Sequence, residues 1–125
     1  MTLQPSNVVP VKVVYRDVPS DDFFVEDWAE ELAGKAEQGL HIRNGLILAV
    51  VRIPVIEGEY QNLTKLRAKF RAIEFLRHHY PSLPKAFTAS CRVLVSGTSE
   101  SGEECVVAML FSQKDVESLA ENGGQ

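Results

Sequence analysis

Cysteine is scarce in this chain: Cys91 and Cys105 are the only two in 125 residues. A disulfide-stapled scaffold needs a denser framework, so the core has to come from apolar packing. Two readings of the pair stand, one disulfide across a hairpin or two reduced core thiols, and the second is preferred because both sit mid-strand among apolar neighbours. Histidine is almost as scarce. His41, His78 and His79 are the only three, and none has the i,i+4 spacing with an intervening glutamate that zinc hydrolases use. His78 and His79 would point in two directions from a helix and read as a wet helix terminus. No run approaches roughly 18 apolar residues, so no membrane-spanning helix is expected. The first residues lack the charged region, apolar stretch and cleavage site of a leader. The expected compartment is the cytoplasm, with the periplasm as the alternative if a leader has been removed.

Phosphate-loop, dinucleotide and nucleophile-elbow motifs are missing as well. The stretch Gly97 to Gly102 has the composition of a phosphate loop. It joins two strands instead of opening a helix, so the anion site of a helix terminus is not formed there. A reactive cysteine would need an exposed position and a basic partner. No catalytic, cofactor-binding or metal-ligating residue is therefore expected, and no cofactor.

What is present is an ordinary globular composition, with 45% hydrophobic and 24% charged residues and a net charge of −4. That is one domain of a size that can bury a single core, with residues 1–7 expected as a flexible arm and 122–125 as a flexible tail. Val8 to Arg16 alternates as a strand, and Pro10 suggests an edge. Asp21 and Asp22 suit the start of a helix over about Phe23 to Glu37. Its Val25, Trp28, Ala29, Leu32, Ala33 and Ala36 recur at helical spacing, with Glu26, Asp27, Glu30, Glu31 and Glu37 outside and Gly39 as a C-cap. Leu46 to Ile56 reads as a central strand buried on both faces over its first half, with Pro54 taking the second half to an edge. Asn44-Gly45 carries the composition of a tight hairpin. It is taken here as a loop, because a four-residue strand over Leu40 to Arg43 is marginal. Strands are expected over Ala86 to Val95 and Glu103 to Phe111, then a capping sequence from Ser112 to Asp115 and a short helix over Val116 to Glu121. The expected class is α+β: two layers, a mainly antiparallel sheet with helices on one face, in the order β-α-β-α-β-β-α. The order becomes ferredoxin-like if the Asn44-Gly45 hairpin forms.

The segment Asn62 to Tyr80 stands out. It carries Lys65, Arg67, Lys69, Arg71 and Arg77 against Glu74 alone, in an acidic protein. On a helical wheel, Leu63, Leu66, Phe70, Ile73, Leu76 and Tyr80 make the broad face expected to be core. Ala68, Ala72, Phe75 and His79 make a second, weaker apolar stripe. Lys65–Lys69 and Arg67–Arg71 are like-charge pairs at i,i+4, each unfavourable by about 0.2–0.5 kcal/mol in an isolated helix. An acidic neighbour would relieve them. The first helix lying alongside on the sheet is one source, another protein chain or a second copy is the next, and a polyanion such as nucleic acid is the third. Nucleic acid is disfavoured by the lack of an aromatic stacking platform.

The stretch from Leu46 to Leu119 resembles the module of the LPP20-like lipoproteins, found also at the N-terminus of the flagellar T-ring assembly protein. The resemblance lies in a strand with a glycine turn (LILAVVRIPVIEGEY), a helix with recurring small residues (LRAKFRAIEFL), and a hairpin with a closing helix (FTASCRVLVSG and ECVVAMLFSQKDVESL). That module's helix is richer in alanine, and no lipid-bearing cysteine stands near the start here. The resemblance implies assembly or binding and no catalytic residues. The expected function is therefore a non-catalytic protein-interaction or assembly domain using residues 62–80, with Arg67, Arg71 and Phe75 as contacts and a protein partner or a homodimer as the counterpart. A polyanion-binding module and a small enzyme with an unrecognised site are the alternatives.

Overall fold

Leu46 to Val51 presents apolar side chains in both directions from the strand, and this dictates the architecture. In the computed structural model, which describes residues 13–16, 24–35, 38–84, 91–99 and 101–123, the segment is the middle of a five-stranded sheet. The elements in chain order are β1 (Val13–Arg16), α1 (Val25–Gly34), β2 (Gly39–Arg43), β3 (Leu46–Pro54), α2 (Gln61–His79), β4 (Cys91–Thr98), β5 (Glu104–Ser112) and α3 (Gln113–Gly123). The sheet order is β1-β2-β3-β5-β4. Only β1 and β2 pair in parallel; β2–β3, β3–β5 and β5–β4 are antiparallel. The α+β class with a mainly antiparallel sheet is as expected, and β1 lies at an edge.

Three placements differ from expectation. Asn44-Gly45 does form a hairpin: both residues have positive φ, 51° and 79°, and Arg43 pairs with Leu46 across the turn. Left-handed conformation at both central positions matches the right-handed twist of the strands, which is why this dipeptide outweighs the shortness of β2. The linear order β-α-β-β-α-β is then ferredoxin-like, but β1 lies directly beside β2 with no strand between them, unlike a split βαβ. Gly39, expected as a helix cap, instead opens β2 with φ 139°. Third, the helices do not share one face. Ala68, Ala72, Phe75 and Leu76 of α2 and Val116 and Ala120 of α3 pack with Ile47, Val51, Met109 and Phe111. Trp28 and Ala29 of α1 pack with Leu48, Val50, Val106 and Ala108 on the opposite side. β3 and β5 are apolar on both faces, and a sheet of that kind needs cover on both.

Local devices fix the edges. Pro54 sits beyond the reach of β2, whose pairing with β3 ends at Val50, so its missing N–H leaves no gap in that ladder. Leu94 is an extra residue in β4, with Val93 opposite Met109 and Val95 opposite Ala108. The bulge turns both Leu94 and Val95 towards α1. The Asp115 N–H donates to Ser112 Oγ at 3.3 Å, so the expected cap starts α3. Phe24 holds the N-cap position of α1; Asp21 and Asp22 lie outside the described residues, as do residues 8–12 and 86–90 of the expected strands. Cys91 pairs with Phe111 and Cys105 with Thr98. Six residues of strand, about 20 Å, separate the two positions, and both thiols are free.

Candidate functional site: the outer face of the second helix

The chain enters α2 through an exposed Glu57–Gly58 turn with φ 82° at Gly58. Tyr60 holds the N-cap position and supplies no side-chain cap. An ion pair orients the entry instead. Arg67 donates twice to Glu59, from Nε at 2.8 Å and from Nη2 at 2.7 Å, and again from Nη2 to the Pro54 carbonyl at 2.9 Å. Thr64 Oγ1 donates to the same carboxylate at 2.7 Å. The bidentate geometry locks the loop to the second turn of the helix. The Arg67 guanidinium, and after it the Thr64 hydroxyl, hold the Glu59 carboxyl below its usual range, and that carboxylate raises Arg67 in return.

With α2 so placed, the face laid on the sheet is Ala68, Ala72, Phe75 and Leu76. Of the broad stripe expected to be core, Leu76 is buried and Tyr80 packs against the core, but the first half faces outward: Leu63 is 50% exposed, Leu66 45% and Phe70 57%. Ile73 continues that line, half-buried. The reason is steric. The sheet face beneath is already filled by Ile47, Val51, Ile53, Met109 and Phe111, so close approach needs small side chains on the helix, as Ala68 and Ala72 provide. Two alanines four residues apart, followed by Phe75 and Leu76, were the signal for the packed face; residue size was the misleading one.

The expected contact residues now have definite places. Phe75 is 3% exposed and belongs to the core, so it is not a surface contact. Arg71 lies with its guanidinium 5.5 Å from the Phe75 ring centroid and pairs with Glu74 at 2.9 Å. Arg67 is engaged by Glu59. Both arginines flank the outward stripe, half-buried. The expectation that α1 lies beside α2 and neutralises it is overturned, because the two pack on opposite faces of the sheet. The Arg67–Arg71 repulsion is relieved locally by Glu59 and Glu74. Lys65, Lys69 and Arg77 have no ion pair among the described residues.

Two depressions flank the end of the β4–β5 hairpin. One, of about 370 Å³, lies between it and the start of α2 and is lined by Glu59, Thr64, Lys65, Ser96 and Cys105. The other, of about 540 Å³, lies on the α1 side, lined by Glu30, Ala33, Val95, Ser99 and Val106. In the first, both oxygens of Glu59 are already bonded, which leaves a structural carboxylate and not a poised base. Among the described residues no group of three or more His, Cys, Asp and Glu side chains is set to hold a metal, and no helix is long and apolar enough to cross a membrane. Comparison with protein-family models, with curated proteins and with solved structures finds no match to this chain.

Proposed function

We propose that the chain is a non-catalytic protein-interaction or assembly domain whose contact surface is the outer face of α2. The observation that carries this reading is the outward line of Leu63, Leu66 and Phe70, three large apolar side chains about half exposed on one helix. At the same end of the domain Val55, Ile56 and Tyr60 are exposed as well, at 45%, 49% and 79%. Single exposed apolar residues need no explanation, but a continuous line of them marks a surface meant to be covered. Arg67 and Arg71 form its rim on one side. Since Glu59 and Glu74 occupy those two guanidinium groups, the surface suits an apolar counterpart better than a polyanion. An assembly role is also what the resemblance of Leu46 to Leu119 to the LPP20-like module implies.

The test is site-specific photo-cross-linking in the cells that make the protein. A photoreactive phenylalanine at position 70 is expected to give discrete adducts, absent when the same group replaces Glu103 in the β4–β5 turn and lost on Leu63→Glu. Identical adduct patterns at positions 70 and 103 would overturn the reading.

A further inference from the structure

We infer that the outer face of α2 is covered by the same face of a second copy, the two helices running antiparallel about a two-fold axis. This rests on the reading of α2 as a contact surface. The spacing carries it first. Leu63, Leu66, Phe70, Ile73 and Arg77 follow one another at intervals of three, four, three and four residues. That alternation keeps one apolar line on the side of α2 away from the sheet, in the register by which one helix can lie along another. From Leu63 to Ile73 the seam runs about 15 Å, just under three turns of helix.

The seam is complementary to its own reverse. In an antiparallel pair, Leu63 meets Ile73 of the other copy and Leu66 meets Phe70, each contact occurring twice, as an isologous interface requires. All four layers are apolar. The next position outward is Arg77, and it faces the Glu57–Gly58–Glu59 turn before the other helix. Within one copy neither Arg77 nor exposed Glu57 has an ion pair among the described residues. Glu57 in the turn before α2 and Arg77 in its last turn are thus of opposite charge, and an antiparallel pair brings the two together. A parallel pair would instead bring the two Arg77 residues together. Lys69 falls near the two-fold axis and must extend its ammonium group past the seam to solvent; this keeps the interface weak.

Other occupants fit less well. The outer side of α1 is acidic, with Glu26, Asp27, Glu30 and Glu31 exposed. Its apolar residues Val25, Trp28, Ala29, Leu32 and Ala33 face the sheet, so α1 of another copy offers charge but nothing to lay on the seam. An anionic bilayer would find Lys65, Lys69 and Arg77 beside the seam, but it would also meet Glu57 and a chain whose net charge is −4.

Sedimentation equilibrium of the full chain over about 1–500 μM tests this, since so short a seam is expected to give a weak, concentration-dependent dimer rather than an obligate one. The expected result is a rise from one to two chain masses, abolished by Phe70→Glu with an unchanged circular dichroism spectrum. Arg77→Glu alone is expected to weaken the dimer about threefold to fivefold, and adding Glu57→Arg to restore it, as for one exposed charge pair per end. A single chain mass at every concentration would overturn the second copy as occupant. If photoreactive position 70 still captures other proteins, the wider reading of α2 survives; if it matches position 103, both fail. Sedimentation of the monomer with phosphatidylglycerol vesicles would likewise replace the second copy by a lipid surface. A dimer indifferent to Phe70→Glu would overturn the seam, and failure of the paired charge reversal would overturn the antiparallel register.

Discussion

At the scale of single residues, the firmest polar feature is the carboxylate of Glu59, bonded to Arg67 at both oxygens and to Thr64. Its protonation should be coupled to folding. The ordinary value is 4.5, and the folded carboxyl lies below it, held first by Arg67 and then by Thr64. A group depressed on folding contributes stability that is complete above its unfolded pKa and is lost as pH falls through its folded one. Glu59→Gln removes that dependence. Parent and variant should therefore differ most in thermal unfolding between pH 6 and 7, with the parent more stable, and should converge as pH drops below 4.5. Melting curves at half-unit steps of pH check this, and a difference that persists unchanged to pH 3 would count against the ion pair as its source. The same bonds explain why the first depression is a poor candidate for acid–base chemistry.

At the scale of elements, α2 presents two apolar faces, and burial ranks them opposite to side-chain size. Phe75→Ala should cost about 3–5 kcal/mol, as for a large aromatic removed from a packed core, because Phe75 is 3% exposed. Phe70→Ala should change the stability of the monomer by no more than about 0.5 kcal/mol, the range of ordinary surface substitutions. Urea unfolding at low protein concentration separates the two, and equal losses would show that both faces are packed within one chain. The sequence carried this information unevenly. The strand at Leu46, the edge position of β1, the Ser112 cap and the α+β class could all be read from local patterns, because each depends on neighbours in the chain. The Asn44-Gly45 turn was visible but was outweighed by the brevity of Leu40 to Arg43. That short strand is stable because β3 and β1 flank it on both sides, which is not local information. The choice between the two faces of α2 depends on how much volume Ile47, Met109 and Phe111 already occupy beneath it, and so could not be read from a wheel. The second helical layer was more accessible. Two near-continuous apolar strands, Ile47 to Val51 and Cys105 to Met109, already imply a sheet that needs cover on both sides.

At the scale of the whole molecule, the sheet separates two helical surfaces of different character. On the α1 side the helix turns no apolar line outward: Trp28 and Ala29 are buried, the outward residues of the helix are acidic, and Arg92 of β4 meets Glu26 at 3.2 Å. On the α2 side the sheet is equally well covered, but the covering helix turns a second apolar line to solvent. A domain with an exposed apolar line should gain stability when that line is covered, and by mass action the gain grows with concentration. If the occupant is a second copy, the melting temperature of the parent should rise by about 2–4 °C for each tenfold increase in concentration once the dimer is populated, given the usual entropy of unfolding for a chain of this length. Phe70→Glu should melt at one temperature throughout, near the dilute limit of the parent, because the exposed line contributes nothing to the monomer's own core. Differential scanning calorimetry over two decades of concentration reads both slopes. Parallel slopes would place any association elsewhere on the molecule, and a lower plateau for the variant would mean that Phe70 supports the fold of the single chain. The charged flanks set a further condition on the same measurement. The pairing of Arg77 with Glu57 lies at the rim and is screened at high salt, whereas the Leu63–Ile73 and Leu66–Phe70 layers are not. Raising ionic strength should therefore reduce the concentration dependence only modestly, and its complete loss in salt would identify the charges, not the apolar seam, as what holds two copies together.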